Sequence, residues 1–137
     1  MKLIAFTDGG SRGNPGPSAC GVVISDSTGK IILRHGRYLG ETTNNIAEWT
    51  GVIDALEHCK ELGATEVELF MDSELVVKQW KGIYRVKNPG LAPLYLRCHN
   101  LAVGFKKVTF THVRREKNAE ADAMVNETLD KRDQNKA

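Results

Sequence analysis

Residues 2–33 read KLIAFTDGGSRGNPGPSACGVVISDSTGKIIL. Residues 2–7 are mainly apolar and stop at Asp8-Gly9-Gly10, which predicts a first strand ending at Asp8. Residues 9–18 hold four glycines and two prolines and read as a turn-rich loop. Gly21-Val22-Val23-Ile24 and Ile31-Ile32-Leu33 read as the second and third strands, joined through the hairpin connection Asp26-Ser27-Thr28-Gly29. Three consecutive strands imply an antiparallel meander.

Beyond it the period changes. Ile46, Trp49, Val52, Ile53, Leu56 and Cys59 recur at steps of three and four, the stripe of an amphipathic helix. Asn44 or Asn45 is the expected N-cap, and Gly63 ends the helix. Residues 67–71 lie between charges and read as a buried parallel strand ending at Asp72-Ser73. A short helix over 74–81, an irregular stretch over 84–93, a helix over 93–102 and a strand over 108–113 follow. The last helix starts near Asn118, and residues 131–137 form a polar tail expected to be disordered. The order is β-β-β-α-β-α-α-β-α. The expected class is α/β with a five-stranded mixed sheet, in which right-handed crossovers set the later strands beside strand 1.

At 137 residues the chain fits one domain with its own core. No apolar run reaches the roughly 18 residues of a membrane span. The short N-terminal apolar run meets Asp8 too soon for a signal peptide. Three cysteines, Cys20, Cys59 and Cys98, argue for a reducing, cytoplasmic setting without disulfides. His58-Cys59 and Cys98-His99 lack zinc-ligand spacing. The net charge is only +2, but it rises to +6 if four carboxylates are neutralised by cations. Bases cluster at Lys78, Lys81, Arg85 and Lys87, and again at Lys106, Lys107, Arg114, Arg115 and Lys117.

Four acids stand out. Asp8 and Asp72 each close an apolar strand, where open α/β sheets place ligand sites, and lie side by side if those strands are neighbours. Each also has a bland reading: Asp8-Gly9 as a turn start, and Asp72 or Ser73 as a helix N-cap. Glu48 occupies the first turn of the first helix, where Asn45-x-x-Glu48 resembles a capping box. Asp122 shares a helix face with Asn118, Val125 and Leu129, so it is either liganded or at the edge of the stripe. Converging carboxylates would repel unless hard divalent cations held them, and two Mg²⁺ would balance four acids. Such a pair suits phosphodiester cleavage. Residues 9–14 fit neither a Walker loop nor a dinucleotide fingerprint.

Phe6-Thr7-Asp8-Gly9-Gly10, Gly13-Asn14-Pro15-Gly16, Thr42-Thr43-Asn44-Asn45-Ile46-Ala47-Glu48, Met71-Asp72-Ser73, Val86-Lys87-Asn88-Pro89 and Arg115-Glu116-Lys117-Asn118-Ala119-Glu120-Ala121-Asp122 occur in that order. Together they resemble type 1 ribonuclease H over residues 3–130. The resemblance implies a ribonuclease H-like fold and a catalytic domain over 1–130. It implies an endonuclease that hydrolyses the RNA strand of RNA–DNA hybrids and leaves 5′-phosphate and 3′-hydroxyl ends. By the same match, Asp8, Glu48, Asp72 and Asp122 hold two Mg²⁺, with Mn²⁺ as a substitute. Asn14, Asn44 and Asn45 meet the RNA strand around its 2′-hydroxyls, and Thr43 and Asn88 grip a DNA phosphate. The expected partner is the hybrid, with no membrane, and the expected state is a monomer.

Between Trp80 and Val86 only Lys81-Gly82-Ile83-Tyr84-Arg85 intervene, where the best-known bacterial members carry an extra basic helix. The chain therefore resembles the shorter archaeal and plant-like branch, with affinity resting on Arg85, Lys87 and Arg115. Many members assist the metals with a loop histidine. Here His112 falls in a strand and is expected to be held away, whereas Arg115, seven residues before Asp122, suits a phosphate. A catalytically dead hybrid-binding domain would lack one of the acids, and a transposase, integrase or exonuclease core would space them differently.

Overall fold

The computed structural model of the chain describes residues 1–135. Strands β1 (Lys2–Ser11), β2 (Gly16–Asp26) and β3 (Ile31–Thr42) precede helix α1 (Asn44–Glu61), β4 (Glu66–Met71), α2 (Glu74–Trp80), α3 (Ala92–Val103), β5 (Lys107–His112) and α4 (Ala119–Asn135). A 3-10 turn at Arg115–Lys117 leads into α4. The sheet order is β3-β2-β1-β4-β5. β2 runs antiparallel to both β1 and β3, while β4 runs parallel to β1 and β5. The mixed five-stranded sheet and the expected element order are both present.

Alternation along the strands sorts the sheet into two faces. Leu3, Ala5, Val22, Ile24 and Leu69 meet Trp49, Val52 and Leu56 of α1 in the main core. Ala19 meets Val125 and Leu129 of α4 in a smaller cluster on the other face. Each fully buried large side chain contributes roughly 1.5–3 kcal/mol. Gly63, at φ +85°, ends α1 as expected, while Ala64 N–H closes on the Cys59 carbonyl. Among the described residues, no helix is long and apolar enough to cross a membrane.

Several elements differ from their sequence reading. Only residues 12–15 of the glycine-rich stretch form a loop. Gly9, Gly10 and Ser11 continue β1 opposite Cys20, Ala19 and Ser18, so Asp8 lies inside the strand, opposite Gly21. Gly9 and Gly21 serve close packing, not turning. A Cβ on Gly9 would collide with the α1 backbone at Ala47 and Glu48, and one on Gly21 would meet the Ala121 carbonyl of α4. β3 extends to Thr42 because it is an edge strand, where polar side chains stay in water. In β4 only Val67, Leu69 and Met71 are buried, since Glu68 and Phe70 face the other side. The N-cap of α1 is Thr43, not Asn44 or Asn45: its hydroxyl accepts from Ile46 N–H. Residues 131–135, expected to be disordered, continue α4, because Arg12 pairs with Asp130 and Asp133, and Arg132 covers the Tyr38 ring. The remainder of that tail lies outside the described residues.

Candidate active site

The parallel register of β1 on β4 pairs Phe6 with Phe70, so two residues further on Asp8 stands beside Asp72, just past the end of β4. α1 crosses β1 at Gly9, where the absent side chain lets the helix backbone at Ala47–Glu48 approach closely. That approach carries Glu48 to the same place. On the other face, Asn118 is buried and its amide donates to the Thr7 carbonyl at 2.8 Å, while Asp122 N–H donates to the Asn118 carbonyl at 3.1 Å. The start of α4 is thereby fixed to the residue before Asp8. Asp8, Glu48, Asp72 and Asp122 all line one cleft of about 590 Å³.

The electrostatics follow from this crowding. Burial raises the Asp8 carboxyl well above the carboxylate range. The Asp72 charge, a hydrogen bond with Asp122 and the Asp122 charge push the same way, against one backbone N–H bond from Gly9. Glu48 is pushed up to about 7 by burial and by the charge of Asp72, while the Ser73 hydroxyl works in the opposite direction. That hydroxyl donates to Glu48 Oε2 at 2.8 Å and also caps α2 by accepting from Val76 N–H. Ser73, not Asp72, is therefore the cap, and Asp72 takes no part in it. Glu48 likewise turns to Ser73 instead of closing a capping box. Asp122 sits between the two alternatives, half-buried at the edge of an otherwise buried stripe and open to the cleft.

Four carboxylates on one cleft, two of them raised chiefly by burial, are a donor set for a hard cation. Among the described residues, no three His, Cys, Asp or Glu side chains close into a cage by themselves. An open carboxylate wall suits Mg²⁺, which keeps several waters and uses few protein ligands.

Arg115 and Asn44 line the same cleft. Arg115 is exposed, with Nε 3.7 Å from Asp72 Oδ2. His112, expected to be held away, is exposed and lines the cleft too, because it is the last residue of β5 and pairs with Met71, directly before Asp72. Asn14 lies in the exposed 12–15 loop, where its Oδ1 accepts from Asn44 N–H at 3.1 Å, and Asn44 Oδ1 accepts from Ser11 N–H at 2.8 Å. Thr43 is occupied as the α1 cap, and Asn45 follows in the first turn. Asn88 is exposed in the loop before α3, where its Oδ1 accepts from Gly90 N–H at 2.7 Å. Thr43, Asn45, Asn88 and Asn14 do not line the cleft itself. Sequence reasoning gave no role to Ser73 as the partner of Glu48, to the Asn118 amide or to Arg12. A hydroxyl directly after a strand-ending acid, and an amide one turn before another acid, were the available signals.

The sequence family described as reverse transcriptase-like matches residues 6–128. Ribonuclease HI of Halobacterium salinarum is 43% identical over 129 residues, 94% of this chain and 65% of that protein. A bifunctional protein of Mycobacterium tuberculosis is 40% identical over 131 residues, 95% of this chain and 36% of that protein. The chain thus spans about a third of the mycobacterial relative and just under two thirds of the halobacterial one. Among solved structures, the crystal structure of RNase H1 from Halobacterium salinarum superposes with a TM-score of 0.93 at 41% identity, covering 96% of this chain and 99% of that one. LC11-RNase H1 in complex with RNA/DNA hybrid superposes at 0.90 and 45% identity, covering 94% and 97%.

Proposed function

Since this chain belongs to the ribonuclease H family, we propose that it is an endonuclease that hydrolyses the RNA strand of RNA–DNA hybrids. The observation that carries this reading is the convergence of Asp8, Glu48, Asp72 and Asp122, from two strands and two helices, on one open cleft. The neighbouring LC11-RNase H1 is itself described in complex with RNA/DNA hybrid, which supports the substrate class.

Asp8, Glu48, Asp72 and Asp122 would hold two Mg²⁺, or Mn²⁺ in their place. When bound, the pair supplies a water activated at neutral pH and charge neutralisation at the leaving oxygen. Asp8 and Glu48, whose carboxyls burial pushes up, would bind such cations in their ionised form. Ser73 keeps the Glu48 carboxylate turned into the cleft through its 2.8 Å hydrogen bond. Arg115, exposed above Asp72, neutralises charge that gathers on the scissile phosphate. Asn14, Asn44 and Asn45 contact the RNA strand around its 2′-hydroxyls, which distinguish RNA from DNA. Thr43 and Asn88 receive a phosphate of the DNA strand. Water attacks phosphorus and the bond to the 3′-oxygen breaks, leaving 5′-phosphate and 3′-hydroxyl ends.

A metal-titrated cleavage assay on hybrid, RNA duplex and DNA duplex tests the reading. Mg²⁺-dependent cutting of the RNA strand in hybrid, with DNA duplex left intact, is the expected outcome. Binding of hybrid without cleavage at any divalent-metal concentration would identify a hybrid-binding domain instead.

A further inference from the structure

Arg12 stands in the 12–15 loop, two residues before Asn14. Its guanidinium forks across the end of α4: Nη1 donates to Asp133 Oδ2 at 2.6 Å and Nη2 to Asp130 Oδ1 at 2.5 Å. Asp133 also accepts from Arg132 Nη1 at 2.7 Å, and the Arg132 guanidinium lies 5.4 Å over the Tyr38 ring of β3. The last turns of α4 therefore tie the loop to the edge of the sheet. On the loop's other side, Asn14 accepts from Asn44 N–H at the start of α1.

Within the turn itself, Arg12 N–H donates to the Pro17 carbonyl at 2.8 Å and the Ser11 hydroxyl donates to the Gly13 carbonyl. Arg12, Gly13, Asn14 and Pro15 are all exposed, and Gly13 adopts a φ of +81°. No side chain of these four is buried in a core, so their placement depends on polar ties at each end. Arg12 itself borders the cleft, but both terminal nitrogens of its fork already meet carboxylates.

We propose that Arg12, with Asp130 and Asp133, is a positioning device: the end of α4 holds the 12–15 loop so that Asn14 meets the RNA strand. This rests on the functional reading above, in which Asn14 is a substrate contact. Arg12 acts through Asn14 and touches no reacting atom.

Steady-state kinetics on hybrid test it, with thermal melts to verify folding. Arg12→Ala and the double variant Asp130→Asn/Asp133→Asn are each expected to raise KM about three- to tenfold, the size fitting an exposed but forked ion pair. In both, kcat stays within about twofold, as for a lost binding interaction. The exchange Arg12→Asp/Asp130→Arg restores most of the loss. In an Asn14→Ala background the double variant has no further effect on KM, an outcome that general loss of stability would not produce. If Asp130→Asn/Asp133→Asn lowers KM, freed Arg12 binds phosphate directly and the proposal is wrong. Unchanged KM in all anchor variants also overturns it and leaves the functional reading intact, whereas a wild-type chain that cannot cut hybrid sinks both.

Discussion

At the scale of single residues, Asp8 is a buried acid between two other acids. Its folded-state pKa is raised by burial first and by Asp72 and Asp122 after that. The stability linked to its neutral form is full below the unfolded carboxyl pKa of about 4 and is lost as pH rises through the raised folded value. Metal-free Asp8→Asn escapes that loss. It should melt no lower than wild type at pH ~8–9, while hybrid cleavage falls to background; Asp72→Asn should lose cleavage likewise. Wild-type turnover in either variant would remove the carboxylate assignment. Arg115 and His112 both reach the cleft, but Arg115 lies beside Asp72. Arg115→Ala is expected to lower kcat and kcat/KM together by about tenfold to a thousandfold, the range for losing one electrostatic stabiliser. His112→Ala should leave kcat nearly unchanged, and a larger kcat effect there reverses the two roles.

At the scale of elements, the site is built by close crossings. α1 lies on β1 at Gly9, and α4 lies on β2 at Gly21. Gly9→Ala forces the α1 backbone away from Asp8, since the added methyl meets main chain that cannot rotate aside. A cost of roughly 1–3 kcal/mol is expected for such overpacking, with activity falling even well below the melting temperature because Glu48 retreats. Melting curves paired with cleavage rates decide it: full activity at low temperature would show that the crossing tolerates a methyl group. The sequence showed each crossing only as a glycine, and glycine in a run such as residues 9–16 reads as a turn. Its use inside a strand depends on what the opposite element brings, which no local window contains.

At the scale of the whole molecule, Asp54 joins α1 to β2 and β3. Its buried carboxylate accepts from Arg37 Nε and Nη2, both at 2.8 Å, and from the Cys20 thiol at 3.3 Å, and it lies 3.3 Å from His35 Nε2. Burial alone would raise its pKa, but the Arg37 hydrogen bonds and charge, helped by Cys20 and His35, lower it overall. A depressed folded pKa gives stability that is full above the unfolded value near 4 and is lost as pH falls through the folded value. Asp54→Asn should therefore cost about 1.5–3 kcal/mol at pH 7, as for hydrogen bonds to a charged group, and flatten the acid limb of a Tm-versus-pH curve below pH ~4. An acid limb identical to wild type would exclude Asp54 as its source. The exposed bases Lys81, Arg85, Lys87, Arg114, Arg115 and Lys117 supply the remaining molecular-scale expectation. Binding of hybrid should weaken linearly in log K against log salt, as phosphate contacts release counterions. A flat plot would mean those bases do not meet the backbone.

By itself the sequence determined the element order, the main apolar stripe and the motifs that name the family, because these are periodicities and spacings along one chain. The change from period two to period three or four at Ile46, and the acid after each strand, are local facts. Tertiary structure alone decided that Gly9 to Ser11 are strand, that Thr43 caps α1, that Ser73 holds Glu48 and that residues 131–135 stay helical. Apart from the Thr43 cap, whose partner Ile46 is three residues on, these depend on partners outside any local window: Ser73 lies 25 positions from Glu48, and Arg12 lies 118 and 121 positions from the acids that it binds. The free energy of a polar tail or a glycine strand lies in those contacts, not in its own composition, so it becomes defined only when the chain has folded.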